Sequence, residues 1–282
     1  MHPDLVRIFE EFIAVIKQDE RCKGGWHYGS YGRGTSDKYS DYDLVFLVAD
    51  ADFEAFAHDL PTMLQTVCED VLLFWGESFN DEHFKNYCSV IRIGEQLHQL
   101  DCFVVNADHI EAWMCRQHLK GCTRKNIIFD RSGEVGELLD LGYRTENITP
   151  DLIRAIDTYW LHAEMVIKYL KRRDIFKLLK NIDILFHAHV DVLLAQYDSL
   201  DWGSWESKVS HCVPAMKQEH LKVYFVPAEV DRLAQAIRAG MQLFKHDAAE
   251  ACAALHLTYP EPIADAVIAD FNLKMSTVNE HA

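Results

Sequence analysis

The sequence predicts an α+β protein in two parts: a mixed-sheet domain over about residues 1–145, then an all-helical bundle domain over about 146–282. Three observations carry this. Short apolar runs of strand length recur through the first half but not the second. Thr149-Pro150-Asp151 joins a capping residue to a proline suited to the first turn of a helix. Helical spacing then runs on almost without interruption. The 282 residues suit one large or two modest domains, at roughly 100–200 residues each.

Taken in order, Leu5, Ile8, Phe9, Phe12, Ile13 and Ile16 have the spacing of one helix face, so residues 4–19 read as an amphipathic helix. Gly24-Gly25 reads as its breaker, and Trp26-His27-Tyr28 as a short strand ending at Gly29-Ser30. The continuous apolar run from Asp43 to Val48 reads as a buried strand. Residues 51–69 look helical, and 71–76, 87–93 and 97–105 read as three more strands. Beyond residue 149, one helix is expected to about Arg173 and another to about Tyr197. Three more follow Pro214, Pro227 and Pro260-Glu261-Pro262.

Charge narrows the function. Lys and Arg total 28 against 44 Asp and Glu, a formal net charge of −16. General nucleic-acid binding needs phosphate neutralisation, and a polybasic membrane surface needs the same residues, so both are disfavoured. The field favours a cationic small molecule instead. No basic stretch leads into an apolar one at the N-terminus, and the longest apolar runs fall far short of the ~18 residues of a span. The eight cysteines include no Cys-x-x-Cys pair. They read as reduced packing thiols of a cytoplasmic protein.

The informative stretch is residues 26–48. A strand ends in Gly29-Ser30, and ten residues on a second begins with Asp41-Tyr42-Asp43. Strand residues i and i+2 point to the same face about 7 Å apart, so Asp41 and Asp43 can converge on one cation while Tyr42 points away. Hard oxygen ligands of this kind suit Mg²⁺ that also takes phosphate oxygens. Gly29 lets the backbone approach a phosphate, and Ser30 adds a hydroxyl and an amide. Asp101, alone among Leu100, Cys102, Phe103, Val104 and Val105, is costly in a core strand unless paired or metal-bound. It reads as a third metal ligand or as the base that takes a hydroxyl proton.

These residues resemble the signature of the nucleotidyltransferase superfamily, and most closely the aminoglycoside 6-adenylyltransferases and larger lincosamide nucleotidyltransferases. The shared segments are Asp19-Glu20-Arg21, Tyr28-Gly29-Ser30, Asp37-Lys38-Tyr39-Ser40-Asp41-Tyr42-Asp43-Leu44-Val45, Leu100-Asp101, Ile127-Ile128-Phe129-Asp130 and Val166-Ile167-Lys168-Tyr169-Leu170. The resemblance implies a nucleotidyltransferase-fold first domain and a helical domain that closes over the nucleotide. It implies transfer of AMP from ATP to a hydroxyl, with Mg²⁺. Asp41 and Asp43 would hold metal, with Asp101 in the third carboxylate position. Gly29, Ser30, Arg33, Ser40 and Lys168 would meet the nucleotide, although Tyr31–Lys38 departs from both families. A polycationic aminoglycoside leads as acceptor, a lincosamide is second, and a protein or RNA acceptor is the rival. The chain is read as a monomer or homodimer.

Other patterns have plainer readings. The basic cluster Lys168, Lys171, Arg172 and Arg173 also complements a helix C-terminus, and Glu164 can simply pair with Lys168. Cys115-x-x-His118-x-x-x-Cys122 with His109 lacks the second pair of a zinc site. His187 and His189 fall on different helix faces, whereas Asp183, His187 and Asp191 share one. Tyr159, Trp160, Trp202 and Trp205 read as packing residues, or as a surface for an antibiotic ring.

Overall fold

The computed structural model describes residues 3–143, 149–198 and 205–276. It divides into two compact units, Met1–Arg144 and Thr145–Ala282.

In the first unit, six strands form one sheet: β1 (Cys22–His27), β2 (Tyr42–Val48), β3 (Asp70–Gly76), β4 (Phe84–Ile93), β5 (Gln96–Asn106) and β6 (Ile127–Asp130). Their order is β3-β4-β5-β2-β1-β6, antiparallel except for the central β2–β5 pair. Strand alternation divides the residues between the two faces. Tyr42, Leu44, Phe46 and Val48 of β2, with Leu100, Cys102 and Val104 of β5, join one core. That core also takes the apolar stripe of α1 (Pro3–Ile16) and of α3 (Phe53–Gln65). Tyr42 stacks on Phe9, centroids 3.5 Å apart, so it points away from its two aspartates. Asp43 and Asp101 therefore belong to the opposite face.

Gly24 and Gly25 do not break the first helix, contrary to the sequence reading; they lie inside β1. The helix ends earlier, at Ile16. The glycines are there for close packing. A Cβ on Gly24 would lie 2.5 Å from Val135 Cγ2, and one on Gly25 would lie 2.9 Å from Val45 O. Asp19-Glu20-Arg21 builds a clamp ahead of β1. The Arg21 guanidinium donates to both oxygens of Asp19 and to Asp59 on α3, tying the turn before β1 to that helix.

The second unit is helical. Helices α6 (Thr149–Lys171), α7 (Ile175–Tyr197), α10 (Val230–Ala254) and α11 (Glu261–Ser276) enclose one core. Tyr159 and Trp160 are core residues, not a ligand surface, and Tyr159 lies flat on Phe244 with centroids 3.5 Å apart. Trp202 and the side chain of Trp205 lie outside the described residues. Helix α8 (Trp205–Cys212) is not legible in the sequence, because its eight residues carry too little apolar periodicity. Among the described residues, no helix is long and apolar enough to cross a membrane.

Candidate active site

The ladder of β2 on β5 sets Asp43 directly beside Asp101. Paired residues of neighbouring strands show their side chains on the same face, so these carboxylates are neighbours across one strand spacing, about 4.8 Å. Asp41 lies just ahead of β2, and its charge acts on both Asp43 and Asp101. None of the three forms an ion pair among the described residues. Burial first, then the charges of Asp41 and Asp101, push the Asp43 carboxyl up to about 7, with Arg33 pulling weakly the other way. Asp101 is pushed up to about 6, again by burial; Gln99 and Cys88 bond to it and oppose the rise, while the charges of Asp41 and Glu77 add to it. Gln99 Nε2 donates to both Asp101 oxygens, at 3.2 and 3.1 Å.

Gly29 packs against this group. The amide of Tyr28 donates to Asp43 O at 3.0 Å, which draws the start of α2 (Gly29–Gly32) onto β2. Gly29 has φ +56°, and a Cβ there would fall 1.7 Å from Asp43 Oδ2. Only glycine fits at this position. Next to it in the chain, Ser30 Oγ is buried with no hydrogen-bond partner, an unspent hydroxyl at the start of α2. Such a group needs a partner from outside the chain or from water.

The other nucleotide-contact candidates lie as follows. Arg33 is exposed at the end of α2, where its amide bonds Gly29 O. Ser40 Oγ turns back onto Asp37, donating to Oδ1 at 3.1 Å and accepting from the Asp37 amide at 2.8 Å, and so closes the loop before Asp41. Lys168 is on the exposed side of α6 in the second unit, its Nζ 5.2 Å from the centre of the Tyr169 ring. The sheet thus groups Asp41, Asp43, Asp101, Gly29 and Ser30, while Lys168 belongs to the other unit.

A divalent cation suits the sheet site on its own evidence: an unpaired set of hard oxygen donors, an orphan hydroxyl, and a glycine cradle that a Cβ would fill. A different trio, His246, Asp247 and Glu250 on α10, brings its ligand atoms within 4.8 Å of one another. The Lys217 ammonium already occupies that place, bonded to Asp247 at 2.7 Å and to Glu250. The three sheet carboxylates stand further apart, but two suffice for a cation that takes its other oxygens from phosphates.

The zinc-like pattern dissolves into backbone contacts. Cys115 Sγ bonds His83 O, Cys122 Sγ bonds His27 O, and His118 Nδ1 meets Met114 O at 2.8 Å. His187 pairs with Asp183 on the surface of α7, while His189 is buried among other partners. Sequence reading missed three residues near the site. Glu77 follows β3 and its charge acts on Asp101; Trp75 and Cys88 continue the row that holds Asp43 and Asp101. Their placement depends on strand pairing, so no local spacing could reveal it.

Comparison with known proteins follows the same line. The model of the streptomycin adenylyltransferase family matches residues 6–272. No curated protein sequence matches the chain. Among solved structures, the chain is similar to an aminoglycoside 6-adenyltransferase from Bacillus subtilis, at 13% identity over 98% of this chain and 99% of that one, with a TM-score of 0.45. It is also similar to a protein from H. pylori assigned as a nucleotidyltransferase, at 10% identity over 87% of this chain and 97% of that one, with a TM-score of 0.25. With the family model spanning nearly the whole length, the chain belongs to the streptomycin adenylyltransferase family and is a nucleotidyltransferase.

Proposed function

We propose that the protein transfers AMP from ATP to a hydroxyl of an aminoglycoside, with Mg²⁺. The observation that carries this reading is the row of uncompensated carboxylates Asp41, Asp43 and Asp101 beside Gly29 and the unpartnered Ser30 hydroxyl. Carboxylates held this close without a cation cost stability, so their placement calls for a charge they bind.

Asp41 and Asp43 would hold the metal, and Asp101, adjacent in the ladder, can share it. When bound, Mg²⁺ screens the phosphates and offsets charge developing on the leaving group. The acceptor oxygen attacks the α-phosphorus; a new P–O bond forms, the bond to the β-phosphate bridging oxygen breaks, and pyrophosphate leaves with that electron pair. The hydroxyl proton passes to Asp101, the carboxylate set beside Asp43 in the ladder. Gln99, donating to both oxygens, fixes the orientation of Asp101. Ser30 and the backbone at Gly29 meet a phosphate, with Arg33 close enough to act on Asp43. Ser40 serves the site indirectly, by closing the loop that presents Asp41. Lys168 keeps the triphosphate role that the resemblance implies, tested by the KM for ATP of Lys168→Ala.

The negative net charge and the family match support an aminoglycoside over a lincosamide, which carries one amine. The test is pyrophosphate release and mass spectrometry of the acceptor with Mg-ATP and streptomycin, a lincosamide, or protein extract in parallel. Streptomycin should gain AMP. Asp41→Asn should lower turnover by about a thousandfold with the circular dichroism spectrum unchanged. Transfer to extract alone, or full activity of Asp41→Asn, would overturn the proposal.

A further inference from the structure

The carboxylate row does not end at Asp101. Asp101 pairs with Cys88 on β4, and Cys88 pairs with Trp75 on the edge strand β3. Asp43, Asp101, Cys88 and Trp75 therefore form one transverse row on one face of the sheet. At one strand spacing per step, Trp75 stands about 10 Å from Asp101, the reach of a molecule of two or three sugar-sized rings. Phe74, one residue earlier, packs on Tyr87 in the opposite core. Trp75 itself is 50% exposed. A half-bare indole on an active face needs an explanation that core packing does not give.

The surroundings of Trp75 have a definite polarity. Two residues on and on the same face, Glu77 follows the strand, its amide donating to Asn86 O at 3.1 Å. Its charge acts on both Asp101 and Cys88, so it stands beside the row, within electrostatic reach of the carboxylates. Asn86, only 4% exposed and two residues from Cys88, keeps a side-chain N–H group with no hydrogen-bond partner. Arg92, further along the same face of β4, is already paired with Asp70. The patch thus joins an aromatic face, a carboxylate and an unspent donor, and Arg92, the cation further along this face of β4, is already paired.

The geometry points to Trp75 and Glu77 as the acceptor subsite: the indole stacks on a ring of a polyhydroxylated cationic acceptor, and Glu77 takes one of its amino or guanidino groups. Indole faces attract cations and the C–H faces of rings, and the carboxylate adds the charge that a neutral acceptor cannot use. Glu77 and Trp75 do not touch the reacting atoms; they fix which acceptor is held beside Asp101. This subsite rests on the proposed reaction, and its test separates the two.

Streptomycin is the probe. Calorimetry measures its binding to the nucleotide-free protein, and steady-state pyrophosphate release gives KM for streptomycin and for ATP. Trp75→Ala should weaken streptomycin binding and raise its KM at least tenfold, leaving KM for ATP within twofold. Trp75→Phe should recover most of the loss, which a merely structural defect would not show. Glu77→Gln should weaken streptomycin binding, and the gap to wild type should narrow as salt rises. Unchanged streptomycin affinity in Trp75→Ala and Glu77→Gln overturns the subsite, as does a loss shared equally with ATP. A shift of Trp75→Ala from dimer to monomer with unchanged KM would make the strand edge a contact between copies and also overturn it. Streptomycin that binds wild type and not Trp75→Ala, yet never receives AMP, would sink the proposed reaction and leave the subsite standing.

Discussion

Asp43 in the sheet and Asp247 in the helical bundle are both withdrawn from water, and their neighbourhoods treat the charge in opposite ways. Asp247 is fully buried on α10 and answered on every side. It accepts from His189 Nε2 at 2.9 Å, from Lys217 Nζ at 2.7 Å and from His220 Nδ1 at 2.8 Å. Burial by itself would raise its pKa, but these three donors outweigh burial and hold it well below the usual carboxylate range. The network runs on through His189 Nδ1 to the Tyr224 hydroxyl and from there to Tyr159, each at 3.0 Å. Among the described residues Asp43 has no such donors, and the acids Asp41 and Asp101 outweigh the pull of Arg33. A carboxylate whose charge is met within the chain belongs to the architecture; one whose charge is left open is held for something the chain binds.

The sharpest way to break this contrast is at Asp247. Asp247→Ala takes the acceptor from the His189 and His220 imidazoles and leaves the nearly buried Lys217 ammonium with only Glu250, and should lower unfolding free energy by about 3–5 kcal/mol, read by urea denaturation. A loss under 1 kcal/mol would remove the distinction. Next comes Gly29→Ala, which strains a positive φ and drives a methyl group into Asp43. Its AMP transfer should fall on the order of a hundredfold while thermal melting moves only a few degrees.

The smallest effect runs in the unusual direction. Asp43→Asn should stabilise the metal-free protein at pH 8 by about 1–3 kcal/mol while abolishing transfer. The folded pKa, about 7, lies above the ordinary 3.8, so the native state holds its proton more tightly than the unfolded chain. The ionised group therefore costs stability above pH 7, and the cost fades as pH falls toward 4. Melting curves with chelator should show the advantage of Asp43→Asn shrinking between pH 8 and 5. Asp247 has the reverse sign: its depressed pKa gives stability that is present above pH 4 and lost only in stronger acid. A gain from Asp43→Asn that stays constant with pH would assign it to packing rather than charge.

What the sequence made legible was whatever repeats over a few residues. The α1 stripe, the apolar run of β2 with its Asp-x-Asp opening, and the lone Asp101 in β5 each announce themselves locally. Asp247 does not. In Phe244-Lys245-His246-Asp247 it looks like part of a solvated helix face, and its donors come from 27 to 58 residues away. Trp75 failed for the converse reason. Val71-Leu72-Leu73-Phe74-Trp75 has the composition of a buried strand, and only its place at the sheet edge leaves the indole bare. Gly24-Gly25 misled because a helix breaker and a close strand crossing call for the same residue.

The parallel pairing of β2 with β5 has a consequence for synthesis. Asp43 and Asp101 face each other but are 58 positions apart (101 − 43), because parallel neighbours need a crossover, here through α3, β3 and β4. Closing that loop costs chain entropy before any contact rewards it. A nascent chain that has emerged only through α3 therefore carries Asp41 and Asp43 with nothing for them to work beside. The carboxylate pair itself forms only once Gln96–Asn106 has cleared the ribosome and paired with β2.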